Sequence, residues 1–520
     1  TTDQSCVFVY YICIIYQIYT SFSSFWLASS LKMISSSFRG IKRGFDVKVF
    51  PHQIYVAVNS AKRCYSSAPA EKDNAWFNDE RMPVTFEDVS KAMYLIRSGI
   101  VRTTTKRSHY LSEMCGMDLF IKNEFTQFTG SFKERGARNA LLSLNDEERA
   151  KGVMAASAGN HALALARHGG LLGIPVTCFM PTIAPLTKVQ KCGKLGANIV
   201  IHGAHIGEAK IEAETNPAYE GLKYINGYDD PEIIAGAGTM GIEILEQVPE
   251  ADVLVIPVGG AGLIAGVALA AKTLKPNIKV IGVEPVNCAS YSSALAAGRP
   301  TAPGDASSTL ADGLAVPVVG PHAFKVARRY VDEVIQVNEK AIALAVLRLV
   351  ENERYVVEGG GATGLAALLP GQPLHNHPDL KGKKVVVPLC GGNIDSTTLG
   401  RVIDRGMAAD GRLVRFIATV SDRRGIAKLT THLAEAKASI KDIYHEAGVA
   451  AHLDGPSAGE VRDRGLGVGP RRGRAPDAAG PGLRRALGPG LAPLLVVPGG
   501  FLLLLGGGGS CPGGFLFFAC

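Results

Sequence analysis

The ten cysteines include no CxxC pair, so neither a zinc ribbon nor the framework of a small secreted disulfide domain is expected, and reduced thiols fit better. The central body also lacks net charge. The formal +8 comes from two regions: residues 33–70 set Arg39, Lys42, Arg43, Lys48, Lys62 and Arg63 against Asp46, and residues 447–520 hold seven arginines against four acids. Residues 71–446 are neutral overall, which leaves no electrostatic footprint for a nucleic-acid partner. What remains, 47% hydrophobic and 20% charged over 520 residues, is ordinary globular composition with room for sizeable cores.

The ends are deficient in other ways. No methionine precedes Met33. The apolar run from Cys6 to Leu31 is long enough for a membrane span, but residues 1–32 are read as upstream sequence outside the native protein. From Met33 to Ser67 acids are nearly absent, while Ser35–Ser–Ser–Phe–Arg39 and Lys62–Arg–Cys–Tyr–Ser–Ser67 have the composition of a mitochondrial transit peptide. A mature protein in the mitochondrial matrix, without a membrane anchor, is the expectation; the cytoplasm is the expectation if this segment is not functional. Residues 447–520 have no lysine and no regular periodicity, and run through Arg471–Arg–Gly–Arg474 and Gly506–Gly–Gly–Gly509. They read as a low-complexity tail, with a shifted reading frame after Glu446 as the preferred account.

The body has a clear rhythm. The apolar runs Val153–Ala156, Val176–Met180, Asn198–Ile201, Asp252–Pro257 and Lys279–Glu284 alternate with the helical stretches Ala162–Arg167, Leu186–Leu195, Glu232–Gln247 and Leu263–Leu274. This predicts an α/β fold with an open parallel sheet. In such sheets ligands sit at the carboxyl ends of strands. Three loops fall there: Ser157–Ala–Gly–Asn–His161, Val258–Gly–Gly–Ala–Gly–Leu263 and Pro388–Leu–Cys–Gly–Gly–Asn393. The first suits a carboxylate, since a helix start presents backbone amides beside Ser and Asn side chains; taken alone, it is an ordinary cap by Ser157 with a satisfied His161. The second lets backbone approach an anion, and its spacing is neither GxGxxG nor GK[ST], so a phosphate that is not part of a dinucleotide or a P-loop is expected. Cys390 by itself reads as a small buried residue. Ahead of all three lies Thr129–Gly–Ser–Phe–Lys133–Glu–Arg–Gly136.

In this order, over residues 80–405, the four motifs resemble the fold-type-II pyridoxal-phosphate enzymes, specifically the serine/threonine dehydratase branch. The resemblance implies a two-subdomain, tryptophan-synthase-β-like fold over residues 68–405, with a smaller subdomain near 150–229. It implies Lys133 as the Schiff-base lysine for pyridoxal 5′-phosphate, with Phe132 beside the ring. Gly259, Gly260, Ala261, Gly262 and Leu263 would hold the phosphate, and Asn160 the ring hydroxyl. Cys390 would meet the pyridine nitrogen, with Glu358 on the same side. Ser157, Asn160 and His161 would cradle the carboxylate of an amino-acid substrate.

Two positions choose among relatives. Racemases of this branch carry a second base where this chain has Ala158, so elimination is expected over racemisation. The neutral thiol of Cys390 would not keep the ring protonated, which suits β-elimination. The implied reaction converts L-threonine to 2-oxobutyrate and ammonia, and L-serine to pyruvate and ammonia. A serine racemase or another fold-type-II lyase is the alternative enzyme, and a catalytically inactive amino-acid sensor the alternative of another class. Glu284 matches one carboxylate of the family's cation site, but Cys288 and Ser290 stand where that site should close, so a monovalent ion fits better than a divalent one. Residues 411–446 resemble half of an ACT-type amino-acid-binding domain: a strand in Arg412–Val420, a helix Gly425–Glu435 and a strand Ser439–His445. The family also implies a homo-oligomer.

Overall fold

A computed structural model describes residues 7–16, 46–48, 65–66, 81–304, 306–420, 424–448, 495–497 and 501–503. The chain forms two units, residues 57–411 and residues 1–56 together with 412–520.

Residues 57–411 contain two sheets. The larger runs, strand by strand, Tyr65–Ser66, Glu333–Val337, Lys279–Pro285, Val253–Pro257, Lys384–Pro388, Asp118–Lys122 and Thr105–Arg107. Its five inner strands are parallel and its two edge strands antiparallel. The smaller sheet, all parallel, runs Asn198–Ile201, Val176–Met180, Val153–Ala156 and Lys223–Tyr224. Strands such as Val253–Pro257 are buried at every residue, as a parallel sheet covered on both faces requires. The five predicted strands are all present, each within a residue of its expected ends. The helix expected over Ala162–Arg167 is longer, Asn160–Leu172. Within it Gly169 stands where a Cβ would meet the side chain of Val176 at 2.2 Å and the carbonyl of Ile174 at 2.9 Å, and the helix stops at Gly173 with φ +66°. The edge pieces Thr105–Arg107 and Lys223–Tyr224, only three and two residues long, carry too little periodicity to be read in advance.

Three helices set the position of Lys133. Lys133–Leu142 packs on Pro231–Gln247, which packs on Gly262–Leu274. A Cβ on Gly236 would stand 2.6 Å from the Arg135 carbonyl oxygen, and one on Gly266 2.2 Å from that of Ile234. These helices therefore meet backbone to backbone, and eight of the ten residues of Lys133–Leu142 are buried. Buried charge on that helix must be paired. Arg135 donates to Glu124 (Nε–Oε2 2.8 Å, Nη2–Oε1 2.6 Å) and to Glu243 (2.8 Å to each oxygen). Lys122 Nζ donates to Glu243 Oε2 at 2.7 Å, and Thr103 Oγ1 to Glu124 Oε1 at 2.6 Å.

In the second unit the helix Gly425–Glu435 lies between the strands Leu413–Val420 and Ala438–Gly448 in sequence. Val7–Tyr16 is antiparallel to both strands and sits between them in the sheet, so they form a split βαβ arrangement. Asp46–Lys48 pairs with the outer side of Leu413–Val420. The rest of the expected transit peptide 33–67, except Tyr65–Ser66, and the tail beyond Gly448, except Leu495–Val497 and Phe501–Leu503, lie outside the described residues. Among the described residues no helix is long and apolar enough to cross a membrane.

The turn from Val253–Pro257 into Gly262–Leu274 places Ala261 at φ +70° and ψ −5°. An L-residue there costs about 1–2 kcal/mol, part of which glycine returns through the unfolded chain. Ala261→Gly is therefore expected to stabilise the protein by up to about 1 kcal/mol, read as a higher thermal midpoint; a lower midpoint would contradict the strain.

Candidate active site

The three loops and the Lys133 turn meet at the carboxyl ends of strands from both sheets. Lys133 is the first residue of its helix. Phe132 N donates to Cys390 O at 3.0 Å, Gly392 N to Gly130 O at 2.9 Å, and Ser131 bridges to Gly391. The lysine turn and the Cys390 loop are thus joined by backbone pairing. Lys133 Nζ lies 5.1 Å from the centre of the Phe132 ring and donates to the carbonyl of Gly227. Burial of the amine pushes its pKa down to about 8, with Cys390 opposing the shift. A minor share of Lys133 is therefore already neutral near physiological pH, the form a nucleophilic amine needs.

The glycine-rich loop is shaped by Tyr228. A Cβ on Gly260 would meet the Tyr228 ring at 2.3 Å, and one on Gly262 the Tyr228 carbonyl oxygen at 2.1 Å. The segment Asn226–Gly–Tyr–Asp–Asp230 thus supplies both the carbonyl facing Lys133 and the wall behind the loop. Asn226 Oδ1 holds it in a turn by accepting from Tyr228 N and Asp229 N at 3.1 and 3.2 Å. Clustered Asn, Gly and Asp were its sequence signal, but nothing in the sequence tied that turn to Lys133. Gly259, Gly260, Ala261, Gly262 and Leu263 form the turn and first residues of a 13-residue helix, whose amino end favours an anion.

Ser157 Oγ accepts from Gly159 N at 3.3 Å, and Ala158 packs with the apolar core of the small sheet. Asn160 opens the next helix; its Nδ2 donates to Glu358 Oε1 at 2.6 Å and its Oδ1 accepts from Asn393 Nδ2 at 2.8 Å. Glu358 is buried, and burial with the nearby Asp312 carboxylate pushes it up to about 7. The Cys390 thiol is raised well above 9, first by burial and then by Glu124 and Glu358. It is therefore a neutral thiol, as its expected role requires.

The structure alters two expected roles. His161 is buried and lies 3.0 Å, through Nε2, from the carbonyl of Ile225. A carbonyl only accepts, so Nε2 carries the proton. Burial and the Lys133 charge push the ring down to about 3, which leaves Nδ1 an acceptor, unsuited to grip a carboxylate. Only the backbone of His161 remains for that purpose. Glu284 spends its carboxylate on Tyr291 N and Ser292 N, at 3.0 and 2.9 Å, and Ser290 Oγ turns to Val316 O at 2.5 Å. Among the described residues no cluster of three His, Cys, Asp or Glu side chains is arranged for a metal ion.

The surroundings of Lys133 fit pyridoxal 5′-phosphate. Ser131 Oγ and His161 Nδ1 are buried without a protein hydrogen-bond partner, the amine is partly neutral, and an anion cradle opens at the start of a helix. Comparison with known proteins agrees. The family described as pyridoxal-phosphate dependent enzyme matches residues 96–391. The L-threonine ammonia-lyase of Thermotoga maritima is 42% identical over 363 residues, 70% of this chain and 89% of that protein. Among solved structures, the processed threonine deaminase isoform 2 of Solanum lycopersicum aligns with a TM-score of 0.60 at 32% identity, covering 66% of this chain and 96% of its own. Maize serine racemase aligns with a TM-score of 0.58 at 34% identity, covering 63% and 99%. Matched by the family over more than half its length, and carrying a partly neutral lysine beside an anion cradle, the chain belongs to the pyridoxal-phosphate-dependent enzymes of fold type II.

Proposed function

We propose that the protein is an L-threonine ammonia-lyase that also deaminates L-serine. The observation that carries this reading is Lys133 as a desolvated amine placed for proton transfer, with Ala158 where a second base would have to stand. Pyridoxal 5′-phosphate, when bound, draws electron density from the substrate's α-carbon. Lys133 holds the cofactor; once released, its Nζ takes the α-proton, with Gly227 O accepting a hydrogen bond from the resulting ammonium. The backbone amides at the start of Asn160–Leu172, together with Ser157, bind the substrate carboxylate. The β-hydroxyl leaves as water by taking up one proton, which the α-proton gained by Lys133 balances overall, and hydrolysis of the released enamine gives the 2-oxo acid and ammonia. Gly259, Gly260, Ala261, Gly262 and Leu263 hold the phosphate, Asn160 the ring hydroxyl, and the Cys390 thiol the pyridine nitrogen. Since Ala158 has no proton to deliver to the opposite face, the α-carbon is not reprotonated there, and elimination prevails over racemisation.

The same reading keeps residues 33–67 as a mitochondrial transit peptide, on their basic, serine-rich composition. Residues 411–446 remain half of an ACT-type module, on their strand, helix and strand. A homo-oligomer stays part of the reading on family resemblance, whereas the Glu284 carboxylate, bound to Tyr291 N and Ser292 N, is not kept as a cation ligand.

Purified protein given L-threonine should release 2-oxobutyrate and ammonia in equal amounts, and Lys133→Ala should lower that rate roughly a thousandfold and abolish covalent cofactor attachment. Formation of D-serine from L-serine as the main product would favour the racemase; binding of L-threonine with no 2-oxo acid would favour the sensor. A second measurement uses pH. The neutral Lys133 amine is required for attachment, and burial lowers it to about 8 from 10.5, so the rate of cofactor uptake by the apoprotein should rise through a midpoint near pH 8. The stability of the cofactor-free protein should also rise with pH between 8 and 10.5, because there the unfolded chain binds the proton that the folded one does not. An uptake midpoint near 10.5 would contradict the desolvated amine.

A further inference from the structure

We infer that Asn393 is a positioning residue that fixes the orientation of the Asn160 side-chain amide in the cofactor site. The argument starts at Thr129, whose backbone carbonyl can only accept. Asn393 Nδ2 lies 2.6 Å from Thr129 O, which identifies that atom as the nitrogen and settles which way the Asn393 amide faces. The same Nδ2 lies 2.8 Å from the Asn160 amide, so the atom it meets must be the acceptor, Oδ1. Asn160 Nδ2 is then left on the other side, 2.6 Å from Glu358 Oε1. Turning the Asn160 amide over would set nitrogen against nitrogen at Asn393, losing that bond whatever the protonation of Glu358, and would lose the second bond as well whenever the Glu358 carboxylate is ionised. One carbonyl thus propagates a single orientation through two amides to a carboxyl group.

The Asn393 side chain is itself firmly seated. A Cβ on Gly130, whose φ is +78°, would stand 3.0 Å from Asn393 Oδ1, and the backbone N–H of Asn393 hydrogen-bonds to Glu358. Asn393 therefore joins the turn that carries Lys133, the loop that carries Asn160, and Glu358. An amide has two N–H donors. With one Asn160 N–H spent on Glu358 and one lone pair of its oxygen on Asn393, the second N–H is the donor that Asn160 has left to offer a cofactor. This inference rests on the proposal that Asn160 binds the ring hydroxyl, and is independent of which amino acid is deaminated.

The test uses the full chain with Asn160→Ala, Asn393→Ala, Asn393→Ser and the double variant Asn160→Ala/Asn393→Ala. The readouts are the visible absorption of bound pyridoxal 5′-phosphate, the cofactor Kd from titration of the apoprotein, and the thermal midpoint of the apoprotein. Asn393→Ala or Asn393→Ser should raise the cofactor Kd about tenfold, as the loss of one oriented hydrogen bond would, and displace the absorption band in the same direction as Asn160→Ala. In the Asn160→Ala background, removing Asn393 should change neither quantity. Wild-type spectrum and Kd in a folded Asn393 variant overturn the inference, as does full additivity in the double variant, because either result confines Asn393 to holding the loops together. An unchanged spectrum in Asn160→Ala would remove the reading of Asn160 and this inference with it. A changed spectrum in Asn160→Ala alone would remove only the role of Asn393.

Discussion

The Arg135 guanidinium, clamped between Glu124 and Glu243, is the interaction on which the site depends. Burial alone would raise the Glu124 carboxyl, but Arg135 beside it holds it below its usual range. Lys122 completes the group by sharing Glu243 Oε2 with Arg135, so two buried positive charges meet two buried negative ones. Such a group adds little net stability over an apolar core, because desolvation offsets the attraction; breaking it leaves an unpaired buried charge at about 3–5 kcal/mol. Its value is geometric. Glu124 precedes the lysine turn, Glu243 lies on Pro231–Gln247, and Lys122 ends a strand of the large sheet. With all three bound to or through a residue two positions after Lys133, the helix cannot rotate or slide without breaking charge pairs.

Around that fixed helix, low dielectric sets the protonation states. The same burial that lowers Lys133 to about 8 raises Glu358 to about 7 and holds the Cys390 thiol protonated. Each shift disfavours the charged form of its group. The result is a site where burial works against every ionised side chain and whose anion-binding capacity comes from backbone amides at helix starts, which need no proton to act. His161 follows the same rule: buried beside a lysine, it becomes an uncharged acceptor.

The loops at strand ends were legible because each stands between an apolar run and a helical one, and a short buried strand has few other readings. Val176–Met180 and Val253–Pro257 are apolar enough to announce themselves. Asn226–Asp230 was not read in advance: its residue types favour a turn, but its packing on Gly260 and Gly262 joins segments about thirty residues apart in sequence. Asn393 stood inside a quoted loop, yet its side chain acts through Thr129 and Asn160, 264 and 233 positions away. That the His161 ring faces a carbonyl, leaving only its backbone for a carboxylate, was hidden for a related reason: the carbonyl that sets its tautomer belongs to Ile225, outside its own loop.

By itself, the sequence determined the alternation of strands and helices, the parallel sheet, the order of the four motifs and the missing base at Ala158. These follow from local periodicity and residue identity, which need no knowledge of neighbours. Only the tertiary structure decided which carbonyl faces Lys133, which atom of His161 bears the proton, that Glu284 caps a helix start, and that Asn393 orients Asn160. Those outcomes depend on hydrogen bonds and desolvation between segments far apart in the chain, and partners of that kind leave no trace in local pattern.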